Sequence, residues 1–257
     1  MRRATTCLAI AALAVLGLTS VASAAPKVTF KAVAVPIAGY PGTGNILGAG
    51  AALKSEFNIS GNEYGGFPPP VIAVNVALPA GSVLHTQGFP TCSTATLEHT
   101  GPGGCPKSSA AGPVGHALGI VSFGDERVEE QSTVQAFFAP GGRLNFFSAG
   151  HSPVALEIVS KGRFVTAGGK YGKEVRTEVP LIETVPGAPD ASILKINVMT
   201  GAARGPKSPS KAVYYGRMPK TCPKGGFPLR AQVVFAGLGG LAQQVVSTTY
   251  KAPCPRK

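Results

Sequence analysis

The sequence predicts an all-β fold built as a two-sheet sandwich, of jelly-roll type, with a barrel as the alternative. Glycine and proline are abundant, at 34 and 23 of 257 residues, and they are spread along the whole chain. They separate about thirteen short apolar or alternating segments, which is the pattern of a many-stranded β domain. After the N-terminal segment, no window carries the apolar stripe of a sustained amphipathic helix.

The alternation is clearest in the segment Val71 to Leu78, where Ile72, Val74, Val76 and Leu78 share one face. A period of two indicates sheets with one buried face. It does not distinguish two facing sheets from one sheet closed on itself, so the barrel stays open. The predicted strands are residues 27–35, 52–59, 71–78, 114–123, 128–138, 144–149, 154–160, 163–166, 174–183, 191–199, 212–215, 229–235 and 244–250.

The first 24 residues have the composition of a secretory signal peptide. Arg2 and Arg3 precede the apolar run from Leu8 to Leu18, and the small residues Ala22 to Ala24 form a cleavage site. The apolar run is too short to span a bilayer comfortably. We therefore expect a signal peptide at 1–24 and one exported domain at 25–257, without a transmembrane segment after cleavage. The expected location is extracellular or at the cell envelope.

Four cysteines remain after the signal peptide: Cys92, Cys105, Cys222 and Cys254. An even number in an exported chain indicates two disulfides, for which three pairings exist. Proximity in the sequence favours Cys92 with Cys105 and Cys222 with Cys254. Zinc sites normally show Cys-x-x-Cys pairs or nearby histidines, and the chain has neither, so no metal is predicted.

The stretch from Gln87 to Gly119 reads as a long irregular loop between two strands. Ser93 or Thr94 is placed to begin a short helical turn and Gly101 to end it. Loops of this length are uncommon unless they are functional or cross-linked. A disulfide staple is favoured because that is the usual role of disulfides in secreted domains. The functional alternative is that the loop lines a binding site.

The chain is basic, with 24 lysines and arginines against 12 acidic residues. Loss of Arg2 and Arg3 with the signal lowers the formal net charge from +12 to +10. Such a charge can attract anionic cell-envelope polymers or lipid head groups, or it can serve solubility alone. No basic run with interleaved aromatic residues marks a nucleic-acid surface, so nucleic acid is not an expected partner.

No catalytic residue is predicted. The segment Gly150 to Val154 resembles a nucleophile elbow around Ser152, but that motif requires glycine at position 154 and a histidine later in the chain. The histidines are His85, His99, His116 and His151, so none follows the serine. The only aspartates of the predicted mature chain are Asp125 and Asp190, which leaves few partners to orient a histidine.

Carbohydrate and phosphate chemistry have weak support. Asp125, Glu126, Glu129 and Glu130 cluster beside a glycine, and a solvated hairpin tip explains them without paired-carboxylate catalysis. The chain has no tryptophan, the broad aromatic platform on which sugars usually stack. The glycines and lysines of residues 168–173 lack the spacing and the terminal serine or threonine of a phosphate loop. No cofactor is predicted.

Gly-Phe-Pro occurs three times, at residues 66–68, 88–90 and 226–228. We interpret the phenylalanine as a plug at the edge of the core and the glycine and proline as turn residues. The alternative is that the three phenylalanines form the rim of a ligand site.

Several segments resemble a group of exported proteins from high-GC soil actinobacteria that carries no assigned activity. These segments are GFPTCS, GGCPKSS, KYGKEV with VPLIETVPGAP, and YYGRMPKTCPKGGFPLRAQVVF. The resemblance extends over most of the mature chain and implies secretion and paired cysteines, but no catalytic residues. We expect a non-enzymatic exported protein with a binding or structural role at the envelope or outside the cell. The alternative is an exported hydrolase with an active site of unrecognised type.

Overall fold

The computed structural model describes residues 25–123, 126–152, 154–183 and 191–255. The predicted signal peptide, both aspartates and Pro153 lie outside these ranges. The described residues form antiparallel strands, one short α-helix (α1) and two 3₁₀ turns. The strands are β1 Lys27–Val35, β2 Ala52–Ser60, β3 Val71–Pro79, β4 Val83–Leu84, β5 Gly115–Phe123, β6 Glu126–Ala139, β7 Arg143–Gly150, β8 Leu156–Thr166, β9 Tyr171–Glu178, β10 Ser192–Thr200, β11 Ala203–Arg204, β12 Val213–Tyr214, β13 Gly216–Arg217, β14 Phe227–Phe235 and β15 Gln244–Ala252, and α1 is Thr94–Thr100.

Eleven strands form one sheet in the order β1-β2-β10-β5-β6-β7-β8-β9-β3-β14-β15. The sheet curls until its two outer strands are neighbours, with the rings of Phe30 in β1 and Tyr250 in β15 centred 6.5 Å apart. Both outer strands lie wholly within the described residues, and no ladder joins them there. The fold is therefore all-β, as predicted, but it is a nearly closed barrel.

The predicted two-sheet sandwich is wrong because the eleven strands from β1 to β15 form one continuous hydrogen-bonded sheet. Strands β5 to β9 form a meander in which each strand pairs with the next, so the sheet has no break at which a second layer could begin. Alternation of apolar residues specifies only that one face is buried. That requirement is the same for a sandwich and for a barrel.

Strand β8 is a single strand where the sequence predicts two, at 154–160 and 163–166. The predicted break at residues 161–162 falls inside β8, where Gly162 lies opposite Leu144 of β7. A Cβ at this position would lie 3.2 Å from the Phe146 ring and 3.3 Å from the Leu144 carbonyl oxygen. This glycine therefore permits close packing within the sheet rather than a turn.

A β-bulge in β10 allows two apolar residues that are an odd number of positions apart to face the barrel interior together. The register against β5 shifts between Ile193 and Lys195. As a result Ile193 and Ile196 both line the interior, whereas simple alternation would have placed them on opposite faces.

The interior is filled where the two ends of the sheet meet. Phe30 of β1, Phe57 of β2, and Val233 and Phe235 of β14 belong to one buried cluster, in which Val233 and Phe235 are fully buried. The rings of Phe30 and Phe57 are centred 4.9 Å apart. Burial of this apolar surface holds β1 against β14 and β15 in the absence of ladder hydrogen bonds between β1 and β15.

The long loop packs on the outside of the barrel. Helix α1 begins as predicted, because the Ser93 hydroxyl accepts a hydrogen bond from the Thr96 N–H at 3.0 Å, and it ends at Gly101 with φ of 61°. Leu97 of α1 is fully buried against the outward-facing side chains of β6, β7 and β8, namely Phe137, Phe147 and Val159. The Cys92–Cys105 disulfide closes this loop.

The Gly-Phe-Pro motifs are turns that anchor a phenylalanine, as interpreted from the sequence. All three glycines have positive φ, at 86°, 79° and 105° for Gly66, Gly88 and Gly226, which a side chain would disfavour. Phe89 and Phe227 are buried, and Phe67 is partly buried. Phe89 and Phe227 belong to different clusters, so they do not form a common rim.

Candidate functional site

The barrel encloses an apolar cavity of about 420 Å³. Its walls are formed mainly by aliphatic and aromatic side chains of the central strands, among them Val76, Val134, Phe146, Ile158 and Ile196. Cavities of this size and composition are typical of sites for small molecules. Val233 and Phe235 of the filled region lie outside the cavity lining, so the interior has a packed side and a hollow side.

The cavity is elongated along the strands. At one end its lining includes Glu130, near the start of β6, and at the other end Tyr215, whose ring is centred 4.7 Å from that of Phe138. Glu130 and Phe138 are eight residues apart on β6, which corresponds to roughly 26 Å along the strand at about 3.3 Å per residue. The cavity therefore suits a molecule with one long apolar chain.

A polar stripe crosses the hollow side of the cavity. It comprises Glu130 and Ser132 of β6, Ser148 of β7, Ser160 of β8 and Thr177 of β9, all of which line the cavity. These four strands are consecutive neighbours in the sheet. One wall of the cavity thus carries hydroxyl groups and a carboxylate.

Glu130 is buried at this wall, with 2% of its surface exposed. Its Oε2 accepts a hydrogen bond from the Val154 N–H at 3.1 Å. Its Oε1 is buried and has no hydrogen-bond partner among the described residues. A buried carboxylate oxygen without a partner is costly in an apolar environment.

The expectation that Glu130 lies at a solvated hairpin tip is wrong. Glu126 and Glu129 are exposed as expected, but Glu130 points inward. The signal was available in the alternation, since Glu130 has the same parity as Val134, Ala136 and Phe138. Because the neighbouring residues are also acidic, all of them were expected to be exposed, although Glu129 and Glu130 face opposite sides of the strand.

Tyr215 supplies a second buried polar atom at the other end of the cavity. Its ring packs against Phe89, Phe138 and Phe164. Burial raises the pKa of its phenol well above the ordinary value of 10.0, so the group is a neutral hydroxyl at physiological pH. The hydroxyl oxygen has no hydrogen-bond partner within the described part of the chain.

The cavity reaches the surface at the Tyr215 end. Its lining there includes the exposed residues Asn45, Pro253 and Cys254. Cys254 is joined to Cys222, with the two Cα atoms 6.0 Å apart. The second disulfide, which has the pairing favoured by proximity in the sequence, therefore holds the C-terminal segment at the mouth of the cavity.

The first disulfide lies away from the cavity. Cys92 and Cys105 have Cα atoms 5.4 Å apart and sit on the outer wall, and residues 87–114 contribute none of the described lining residues. The end of the predicted stretch belongs to β5, where Ala117, Leu118 and Gly119 line the cavity. The irregular part of the stretch does not line it, so the alternative that the loop itself forms a binding site has no support from the cavity. The loop buttresses β6 to β8 from outside.

The histidines do not assemble a catalytic or metal site within the described residues. All four are exposed. The backbone N–H of His85 donates a hydrogen bond to the Tyr215 carbonyl oxygen at 2.8 Å. His151 follows β7 at the opposite end of the barrel. Ser152 of the apparent nucleophile motif is also exposed. The part of the chain that is described contains no group of three or more histidine, cysteine, aspartate or glutamate residues placed to hold a metal ion.

The barrel has a second buried carboxylate, on its outer face. Glu174 of β9 accepts a hydrogen bond from Arg176 Nε at 2.7 Å and another from Arg230 Nη2 at 2.7 Å. Burial alone would raise the pKa of Glu174, but the hydrogen bonds and charges of the two arginines outweigh it, and the pKa lies below the ordinary value. Arg230 also stacks over the Tyr171 ring at 5.1 Å. Glu174 therefore forms structural ion pairs with Arg176 and Arg230.

In the described ranges, no helix has the length and apolar character needed to cross a membrane. Comparison of the chain with protein-family models, with curated proteins and with solved structures finds no match. The chemistry of the cavity is therefore the basis on which a function can be inferred.

Proposed function

We propose that this is an exported, non-enzymatic binding protein that holds one small single-chain apolar molecule inside its barrel. The observation that carries the proposal is the elongated cavity of about 420 Å³, with its mostly apolar lining and a few convergent polar groups. Both disulfides suit an oxidising compartment, which supports export. The predicted attraction to anionic envelope polymers or lipid head groups remains a separate prediction from the net charge.

The hydrolase alternative has less support. Hydrolysis by a nucleophile or a metal would require a base beside a nucleophile, or a set of ligands. The exposed histidines and the lack of a metal-binding cluster in the described residues provide neither. Among the described residues that line the cavity, Glu130 is the one acidic group, and a lone carboxylate in an apolar cavity is better suited to recognition than to hydrolysis.

The proposal can be tested with a neutral apolar probe. Since the chain has no tryptophan, fluorescence must come from the ligand, and N-phenyl-1-naphthylamine is suitable. The protein expressed from the full chain should bind this probe saturably at one site. Dodecanol, a neutral single-chain molecule, should displace it.

A pair of variants locates the binding. Ser132→Phe would fill the cavity from β6, whereas Gln131→Phe places the same side chain on the exposed outer face of that strand. We expect Ser132→Phe to weaken binding at least about tenfold, or 1.4 kcal/mol, and Gln131→Phe to leave it unchanged. Equal affinity in the two variants, or no saturable binding by the unaltered protein, would overturn the proposal.

A further inference from the structure

The interior carboxylate has a site built around it. Glu130 lies directly opposite Gly119 of β5, and Gly150 of β7 lies opposite Ser132, the next inward-facing residue. A Cβ at Gly150 would overlap Glu130 Oε1 and would lie 3.0 Å from its carboxyl carbon. Gly150 therefore leaves the space that the Glu130 carboxyl group occupies.

This carboxylate lacks the partners that a buried charge needs. One backbone N–H satisfies Oε2, and Oε1 has no partner among the described residues. Glu174 shows what the same fold provides when the role is structural, namely two arginine donors at 2.7 Å. Removal of a charge from water is tolerated when an opposite charge and hydrogen bonds replace the water.

A ligand with a cationic head would supply the missing partner. An ammonium group has three donors and no acceptor. It can pair with the carboxylate of Glu130, which lines the cavity, through a charge-assisted hydrogen bond, and the Ser132 hydroxyl lies next to Glu130 on the same inward face. A carboxylate head in this position would be repelled by Glu130.

From these observations, and resting on the proposed function, we infer that the barrel selects a long-chain primary amine. Its ammonium group pairs with Glu130, and its alkyl chain extends along the cavity toward Tyr215. This preference opposes the electrostatics of the whole protein, whose formal net charge is +12 for the full chain. Nonspecific attraction would favour an anionic amphiphile instead.

The test compares dodecylamine, dodecanol and dodecanoate as competitors of N-phenyl-1-naphthylamine, at concentrations below micelle formation. The unaltered protein should bind dodecylamine at least about tenfold more tightly than dodecanol, since charge-assisted hydrogen bonds are the stronger ones. Dodecanoate should bind most weakly. In Glu130→Gln the preference for the amine over the alcohol should fall below about twofold.

Glu129→Gln is the matched control, because Glu129 is the exposed neighbour on the outer face, and it should retain the amine preference. If dodecanol binds in the cavity and dodecylamine binds no better, the inference is overturned and the proposed function stands. If neither competitor nor probe binds, both are overturned. If Glu130→Gln does not fold, the amine-to-alcohol ratio of the unaltered protein still decides between these outcomes.

Discussion

Glu174 and Glu130 are both almost fully buried, with 1% and 2% of their surfaces exposed, yet their surroundings differ. Glu174 lies on the outer face of the barrel and is hydrogen-bonded by two arginines. Glu130 lies on the inner face, with one backbone donor and one oxygen that has no partner among the described residues. The first carboxylate is satisfied by the fold itself. For one oxygen of the second carboxylate, the described residues supply no donor.

The neighbouring residues explain how each environment arises. Ala77 of β3 lies between Glu174 and Arg230 in the sheet register and is fully buried. Its small side chain lets the arginine reach across the strand to the carboxylate. Beside Glu130, Gly150 leaves space for the carboxyl group, and neither Gly150 nor Gly119 opposite it has a side-chain donor.

The largest effect is expected from Glu174→Gln. The amide loses the charge on both hydrogen bonds, so the free energy of unfolding should fall by about 1.5–3 kcal/mol. Urea unfolding followed by circular dichroism would measure the loss. Glu178→Gln is the control, because that carboxylate is exposed and lies 4.0 Å from Arg163, and its loss should cost less than about 0.5 kcal/mol.

The stabilisation that Glu174 provides should also depend on pH. The pKa of Glu174 in the folded protein is lowered, so its stabilisation is complete above the unfolded-state pKa and is lost as pH falls through the folded-state pKa. The difference in stability between the unaltered protein and Glu174→Gln should be largest at neutral pH and shrink below about pH 4.5. A difference that stays constant into strong acid would show that Glu174 is not the paired group.

A double-mutant cycle tests the space around Glu130. Gly150→Ala places a methyl group where the Glu130 carboxylate lies, and we expect it to lower the free energy of unfolding by about 1–3 kcal/mol. In a Glu130→Ala background the same change should cost much less, since the overlapping atoms are gone. Additive effects in the cycle would place Glu130 elsewhere.

The sequence predicts much of the fold and less of this site. Segments such as residues 27–35 and 244–250 match strands closely, because alternation and turn residues are local properties. Closure of the barrel depends on contacts between residues far apart in the chain, such as Phe30 with Tyr250, which alternation does not specify. The two-residue strands β4, β11 and β13 were missed because strands so short have no period.

The candidate site was hidden for a related reason. The significance of Glu130 depends on Gly150, which the sheet brings beside it from the neighbouring strand β7. The cysteine pairs were easier to predict, because proximity in the chain and the export expected from the N-terminal sequence are sufficient to favour them. Tyr215 likewise becomes part of the cavity only after β4 and β13 pair at the end of the barrel.

A smaller effect on stability is expected from Glu130→Gln. The change removes a buried charge that has a single hydrogen bond, so the free energy of unfolding should rise or should change by less than about 0.5 kcal/mol. Urea unfolding of this variant beside Glu174→Gln gives the comparison directly. A loss as large as that of Glu174→Gln would mean that the fold requires the Glu130 carboxylate, contrary to the difference drawn between the two residues.

The most direct test is to locate a bound chain by nuclear magnetic resonance. With isotope-labelled valine and isoleucine methyl groups, bound dodecylamine should show nuclear Overhauser effects to Val134 and Ile158, which line the cavity. It should show none to Val233 in the filled region or to the exposed Val245. Contacts confined to Val245 and other surface residues, with none to Val134 or Ile158, would contradict the account that the barrel interior is the binding site.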